Sequence, residues 1–195
     1  MDEKIKIKGL NAAYGQNQVL FDINLEIGKG MFGLLGRNGA GKSTLMKTLV
    51  TLLPIKNGKV EICNIPISRQ REIRSMVGYL PQDFNMYPNM SVEESLEYLG
   101  VLSEIKSSEI KYLTNKVLEL VNLWQDRKVK VKALSGGMKR RLGIAQAIIH
   151  DPKVLIVDEP TAGLDPEERI RFRNLLADLA QDKIVILSTH IVGDI

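Results

Sequence analysis

The segment from Gly36 to Ser43 has the residue types and the spacing of a phosphate-binding loop. It reads GRNGAGKS and matches the pattern G-x-x-x-x-G-K-[ST]. Glycines at these places let the backbone curl, so that consecutive N–H groups can point towards phosphate oxygens. Lys42 can reach the β- and γ-phosphates of a nucleotide, and the hydroxyl of Ser43 suits an octahedral Mg²⁺ ion. A helix that begins near Lys42 would add the positive end of its dipole.

A pair of carboxylates follows an apolar run much further along the chain. Val154 to Val157 predicts a strand buried on both faces, and Asp158 and Glu159 come directly after it. Ligands bind at the carboxyl ends of the strands in open α/β sheets. Asp158 could therefore orient the metal ion through a water molecule, and Glu159 could activate an attacking water as general base. Taken alone, the pair could also be a solvated acidic strand end.

A second glycine-containing segment, Leu134 to Met138, reads LSGGM and stands at a predicted helix start. Ser135 and the two glycines after it would form a second anion-binding helix terminus. One nucleotide does not need two such termini from one chain, whereas two chains docked head to tail would use both. Each nucleotide would then lie between Lys42 of one chain and Ser135 of the other. A simple helix cap stays open for the segment by itself.

The phosphate-binding loop alone does not decide the class of enzyme. A GTPase needs a guanine-reading Asn-Lys-x-Asp, and the candidate segment 115–118 reads NKVL inside a predicted helix. This argues against a GTPase, whereas a small-molecule kinase stays open on the loop alone.

Alternating strands and amphipathic helices predict the framework that positions these residues. Residues 5–8 and 19–27 alternate as half-buried strands, and Met31 to Leu35 runs apolar, which predicts a strand buried on both faces before the loop. Ser91 and Glu94 form a capping box at the start of a stretch with helical periodicity. A strand at 154–157, a helix at 167–180 and a strand at 184–187 complete a βαβ unit. We therefore expect a single α/β domain over residues 1–195, with a core from 1–85 and 151–195 and an inserted helical subdomain at 86–150.

Composition excludes several other classes of protein. The 195 residues carry a net charge of +4, with a single cysteine, Cys63, and two histidines, which excludes an intramolecular disulfide framework and disfavours a His-rich metal site. The longest apolar runs are far shorter than a membrane span, and the charged start shows no signal peptide. We expect a reduced, cytoplasmic protein. Lys139 to Arg141 predicts a solvated helix face, so direct nucleic-acid binding is not expected.

Taken together, the motifs resemble those of the ATP-binding cassette family, the motor subunits of ABC transporters, over essentially the whole chain. Gly36–Thr44 is similar to the Walker A loop, Leu134–Met138 to the signature, and Val154–Glu159 to Walker B with its catalytic glutamate. The remaining matches are Tyr14 with the adenine-stacking aromatic, Gln82 of YLPQ with the Q-loop, Asp165 of AGLD with the D-loop and His190 of STH with the switch histidine.

The resemblance implies a P-loop NTPase fold, with a RecA-like core, an antiparallel β subdomain and the helical subdomain. It implies an ATPase that dimerises head to tail around Mg-ATP and powers a membrane permease, held on the cytoplasmic face of the membrane by that permease. The implied nucleotide contacts are Tyr14, Gly36, Arg37, Asn38, Gly39, Ala40, Gly41, Lys42, Ser43, Thr44, Ser135, Gly136 and Gly137. The implied catalytic residues are Glu159, His190, Gln82 and Lys42, and the implied metal residues are Ser43, Gln82 and Asp158. Asp165 of the implied D-loop would lie at the contact between the two cassettes of the dimer. The second cassette would be either an identical chain or a related one.

Three features refine this expectation. Met138 replaces the glutamine common in the family's signature, and this change and Tyr87–Glu94 resemble the drug, peptide-antibiotic and sodium exporter branch. The surface around Phe84, Met86 and Tyr87 would dock the permease. The chain ends five residues after His190, which predicts a C-terminally truncated domain with a poorly packed last strand. The alternative is a soluble ABC-type ATPase switch in translation or DNA maintenance, for which the chain lacks a coiled coil or a second cassette.

Overall fold

The computed structural model describes residues 3–191 and 193. Its strands are β1 (Ile5–Tyr14), β2 (Asn17–Ile27), β3 (Gly30–Leu35), β4 (Asn57–Ile62), β5 (Ile65–Pro66), β6 (Val77–Leu80), β7 (Val154–Asp158) and β8 (Ile184–Thr189). Its α-helices are α1 (Lys42–Leu49), α2 (Gln70–Met76), α3 (Val92–Leu102), α4 (Ser107–Leu120), α5 (Gly136–Ile148) and α6 (Pro166–Ala180). The mixed α/β class is as predicted, whereas β4, β5, β6 and α2 have no counterpart in the sequence prediction.

The strands form two sheets of different kinds. One sheet is antiparallel, in the order β2-β1-β4-β5, and the other is parallel, in the order β3-β8-β7-β6. Strand β8 lies between β3 and β7 and is buried along its whole length. The expectation of a poorly packed last strand is therefore wrong. Strand β3 forms as predicted but stands at the end of the parallel sheet, so its residues are mostly half-buried rather than buried on both faces.

Strand β7 separates two hydrophobic clusters, one on each face of the parallel sheet. Leu155 and Val157 pack with residues of α5 and α6, including Phe172. Ile156 points the other way and packs with Met46 of α1 and with the antiparallel sheet. Because both faces are covered, β7 is apolar without alternation, as the sequence predicts. The carboxyl ends of β3, β6, β7 and β8 all lie at one edge of this sheet, and four of the motifs follow these ends: the loop from residue 36 and the predicted Q-loop glutamine, catalytic glutamate and switch histidine.

The stretch between 86 and 150 holds α3, α4, α5 and a short 3₁₀ helix at Val131–Ala133. The predicted capping box is confirmed: the Glu94 N–H donates to Ser91 Oγ, and the Ser91 N–H donates to Glu94 Oε2. Helix α5 also packs on the parallel sheet, where a Cβ on Gly78 of β6 would lie 2.0 Å from the Ala147 carbonyl oxygen. The division at 86 and 150 stays a prediction, because α5 belongs to the packing of both parts. No helix of the described residues is long and apolar enough to cross a membrane.

Candidate functional site

The loop between β3 and α1 has the conformation that the glycine spacing predicts. Gly39 and Gly41 have φ values of +84° and +89°, in the left-handed region that glycine adopts without strain. Gly41 is the N-cap of α1, and a Cβ there would lie 3.0 Å from Leu20 Cδ2. No side chain caps this helix. The N–H groups of its first turn are therefore available to an anion.

Lys42 connects this loop to the end of β7. Its Nζ donates to the Gly36 carbonyl oxygen at 2.7 Å and to the Arg37 carbonyl oxygen at 3.2 Å. The same Nζ lies 3.3 Å from Glu159 Oε1, and the two side chains are only 10% and 8% exposed. Since Oε1 is buried and accepts no hydrogen bond from the described residues, this contact is an ion pair without good hydrogen-bond alignment. The structure thus brings two of the predicted catalytic residues together.

Glu159 also contacts the predicted switch histidine. His190 Nδ1 lies 2.7 Å from Glu159 Oε2, and the His190 side chain is 48% exposed. One carboxylate therefore stands between the ammonium group of the loop and a partly exposed imidazole. The Glu159 side chain is only 8% exposed, so the exposed part of this group of residues is the His190 ring.

A serine that the sequence analysis did not single out holds the two carboxylate residues. Ser188 on β8 pairs with Asp158 on β7, its Oγ donates to Asp158 Oδ1 at 2.6 Å, and the Glu159 N–H donates to Ser188 Oγ at 2.9 Å. Its position two residues before His190 was visible in the sequence. Its contact depends on the register that places Ser188 opposite Asp158, which the predicted βαβ unit does not specify.

Gln82 lies at the same edge of the parallel sheet, whereas Tyr14 belongs to the antiparallel sheet. Gln82 follows β6 and is exposed, and its carbonyl oxygen accepts a hydrogen bond from Arg140 Nη1 at 2.7 Å. Tyr14 ends β1 and is 47% exposed, as an adenine-stacking ring would be. Nearby, burial raises the pKa of Tyr79 to about 12, with smaller contributions from Asp158 and Tyr14. The Tyr79 hydroxyl therefore stays neutral at ordinary pH.

The basic run on α5 is only partly a solvated face. Lys139 is exposed, but Arg140 and Arg141 are half-buried and tie α5 to neighbouring loops. Arg140 bonds the Gln82 carbonyl oxygen, and burial lowers the pKa of its guanidinium. Arg141 Nη1 donates to the Asn122 carbonyl oxygen at 2.8 Å. The interpretation of the whole run as a solvated face is wrong for the two arginines, because their side chains donate hydrogen bonds to backbone carbonyl oxygens outside α5.

The second glycine-containing segment forms a helix cap. Ser135 is the N-cap of α5, and its Oγ accepts a hydrogen bond from the Met138 N–H at 3.2 Å. Gly136 is exposed, whereas a Cβ on Gly137 would lie 2.6 Å from Glu168 Oε2. Among the described residues, no hydrogen bond or ion pair joins this segment to the loop at 36–44. Asp165 likewise caps α6, where its Oδ1 accepts from the Glu168 N–H at 2.9 Å.

The donor groups at the site fit a magnesium ion that is held mainly by phosphate. Ser43 is the second residue of α1, and Asp158 is buried at the end of β7. Over residues 3–191 and 193, no group of three or more His, Cys, Asp or Glu residues could hold a metal ion by itself. Mg²⁺ commonly binds to one or two protein oxygens together with substrate phosphates and water, so a hydroxyl and a carboxylate are an adequate protein contribution.

Comparisons with known proteins show the family to which the chain is similar. A family model described as "ABC transporter" matches residues 20–162. The Nod factor export ATP-binding protein I of Bradyrhizobium diazoefficiens is 38% identical over 97% of this chain and 63% of its own length. The protein of the same name from Cupriavidus metallidurans is also 38% identical, over 97% of this chain and 64% of its own length. The chain thus spans less than two thirds of these relatives.

Solved structures share the whole fold. The structure of cbiO1 from Clostridium perfringens, described as part of the ABC transporter complex cbiONQ, superimposes with a TM-score of 0.91 at 29% identity. The match covers 100% of this chain and 81% of that one. An ATP-binding subunit of an ABC transporter superimposes with a TM-score of 0.83 at 26% identity, over 97% of this chain and 80% of that one.

Proposed function

The chain belongs to the ABC transporter family, and from this premise we propose that it binds and hydrolyses ATP to power a membrane permease. The observation that carries the proposal is the Glu159 carboxylate, held between Lys42 at 3.3 Å and His190 at 2.7 Å. Lys42 belongs to a glycine loop suited to phosphate, and Glu159 directly follows a buried strand. This arrangement supports hydrolysis at the γ-phosphate, because a cation, a base and an imidazole converge on one place.

In the proposed reaction, the N–H groups of residues 36–44 bind the phosphates of ATP. Lys42 leaves part of its contact with the loop carbonyl groups and neutralises the β- and γ-phosphates. Glu159 accepts the proton of the attacking water, and His190 contacts the γ-phosphate from the exposed side. Tyr14 stacks on the adenine ring. Each of these residues lies at the edge of the parallel sheet where the strands end, or in the hairpin beside it.

Magnesium would be held by Ser43, Gln82 and Asp158 together with phosphate oxygens. When bound, the ion supplies positive charge that offsets the negative charge developing on the phosphate oxygens. The chain's own contribution is to keep the Ser43 hydroxyl at the helix start and the Asp158 carboxylate in a buried position.

We assign the second helix terminus to a partner cassette. Ser135 and Gly136 are exposed at the start of α5, whereas Gly137 is buried, and Asp165 is the N-cap of α6. A head-to-tail dimer would place this terminus of one chain over the nucleotide of the other, with Asp165 near the contact between the chains. The exposure of Ser135 and Gly136 supports this assignment, because an additional anion has free access to them.

The permease is proposed to dock beside the segment that follows Gln82. Phe84 and Met86 are half-buried against the helical core, whereas Tyr87 is half-exposed and packs edge-on against Tyr98 at 5.4 Å between ring centroids. An exposed aromatic pair suits an apolar helix of a membrane subunit. Such docking would hold the chain at the cytoplasmic face of the membrane. Export is the proposed direction because the relatives named above are export proteins.

The hydrolysis proposal is tested with Glu159→Gln. The amide cannot accept the proton of the attacking water, so we expect hydrolysis about 10²–10⁴-fold slower with ATP binding retained. Light scattering in saturating Mg-ATP should show a trapped dimer. Glu119→Gln, an exposed change on α4, is the control and should behave as the unchanged protein. Undiminished hydrolysis in Glu159→Gln would contradict the role of the base, and a persistent monomer would contradict the dimer.

The permease proposal is tested by affinity purification of the full-length tagged protein from solubilised native membranes. A polytopic membrane protein in stoichiometric amount is the expected partner. Ribosomal or DNA-associated partners without a membrane protein would instead favour the soluble switch.

A further inference from the structure

Ser188 is a buried polar residue of strand β8. Strand β8 runs IVILST, all six residues are buried, and Ser188 is 0% exposed. A buried hydroxyl is unfavourable unless it is hydrogen-bonded, and an alanine would fill nearly the same volume without that cost. Packing alone therefore does not explain why a serine stands at this position.

The hydroxyl of Ser188 makes two hydrogen bonds, both to residues at the carboxyl end of β7. It donates to Asp158 Oδ1 at 2.6 Å and accepts from the Glu159 N–H at 2.9 Å. A hydroxyl has one proton to donate, so the direction of both bonds is fixed when Asp158 is a carboxylate. The side chain thus joins the predicted metal ligand and the predicted base through one oxygen atom.

The backbone of Glu159 needs such support. Its φ is +47°, a left-handed value that residues with a side chain adopt rarely and at a cost. This conformation turns the Glu159 side chain towards Lys42 and His190, where its two oxygens lie 3.3 Å and 2.7 Å from the partner nitrogens. The bond from the Glu159 N–H to Ser188 Oγ holds the residue at the point where the chain leaves β7.

We propose that Ser188 is a positioning residue for ATP hydrolysis, which fixes Glu159 in its left-handed conformation and orients Asp158 through a single hydroxyl. The inference rests on the proposed hydrolysis. Residues one step removed from the reacting groups typically change activity by about 10–100-fold when their hydrogen bonds are lost. The effect should fall on the rate of hydrolysis rather than on nucleotide affinity, because the loop at 36–44 makes no hydrogen bond to Ser188 among the described residues.

The test compares Ser188→Ala with Ser188→Thr, which keeps the hydroxyl. We expect Ser188→Ala to lower kcat about 10–100-fold while KM changes less than about threefold, and Ser188→Thr to restore most of the rate. In the nucleotide-free protein, the Glu159 amide proton should move upfield in the NMR spectrum of Ser188→Ala, since it loses its acceptor. Ser95→Ala is the matched control, because Ser95 is also 0% exposed and its hydroxyl donates a hydrogen bond to a backbone group. The acceptor is the carbonyl oxygen of Ser91, the N-cap of α3, at 2.8 Å.

Two results would overturn the inference while leaving the proposed function intact. One is a kcat within about twofold of the unchanged protein in a folded Ser188→Ala variant, and the other is a raised KM at unchanged kcat. If Ser188→Ala does not fold, Ser188→Cys keeps the size with a weaker donor and is judged by the same criteria. Absence of any hydrolysis by the unchanged protein would instead refute the proposed function, and the inference with it.

Discussion

Two helices of this chain begin with glycine-rich segments, and the surroundings of the two beginnings differ. At α1, the N-cap is Gly41, and no side chain occupies the first N–H groups. Lys42 reaches Glu159, which directly follows β7 and lies more than a hundred residues further along the chain. At α5, Ser135 occupies one of the first N–H groups with its own hydroxyl, and the start of the helix is exposed.

The two beginnings differ in how many of their contacts this chain supplies. Around Glu159, Lys42 and His190 are already in contact with the carboxylate. The start of α5 shows the contacts of a cap, and a further role for it depends on something outside the chain. A comparison of substitutions at the two helices therefore tests whether the second has more than a structural function.

Among substitutions at the beginnings of the two helices, the largest effect is expected from Lys42→Ala. The substitution removes the cation that the loop positions for phosphate, and charge-assisted hydrogen bonds of this kind correspond to a loss of about 100-fold in ATP affinity. It also leaves the Glu159 carboxylate buried with only His190 beside it among its described contacts. Isothermal titration calorimetry measures the affinity. Lys47→Ala, in the last turn of the same helix, is the control and should bind within about twofold of the unchanged protein.

ATP affinity within about threefold in Lys42→Ala would contradict the assignment of the first site. The two helix starts would then no longer be distinguished by function, and the ion pair with Glu159 would be only structural.

Local spacing predicted the parts of the site that are continuous in sequence. The loop, the start of α1, the capping box at Ser91 and the strand before Asp158 all form where their patterns place them. The contacts of Ser188 and Arg140 were not predicted, because they depend on the register between β7 and β8 and on how α5 meets the end of β6. The half-exposure of β3 was also missed, since an apolar run does not reveal whether its strand is central or at the end of a sheet.

An intermediate effect is expected from Ser135→Ala, compared with Ser91→Ala. Both residues are N-caps, of α5 and α3, so each substitution should lower the free energy of unfolding by about 1 kcal/mol. Only Ser135 is proposed to contact the nucleotide of a partner chain, and we expect a loss of about tenfold in hydrolysis from its removal, as for one hydrogen bond to a charged group. Urea unfolding and steady-state hydrolysis give the two quantities.

Equal hydrolysis in the two cap variants would show that the start of α5 is a cap and no more. A loss in both would indicate that hydrolysis follows the stability of the helical region rather than a particular hydroxyl.

The smallest effect is expected from the pair Gly41→Ala and Gly136→Ala, measured as the free energy of unfolding in urea. An alanine at Gly41 would keep a φ of +89° and meet Leu20 at 3.0 Å, which should destabilise the fold by about 1–2 kcal/mol. At Gly136 no atom lies within 4 Å of the added Cβ, so alanine should be neutral or stabilise the helix by up to about 1 kcal/mol. If Gly136→Ala is as stable as expected and still hydrolyses ATP more slowly, the requirement for glycine there comes from a surface outside this chain. Unchanged hydrolysis would mean that nothing approaches the start of α5 closely, and the head-to-tail dimer would lose its second contact.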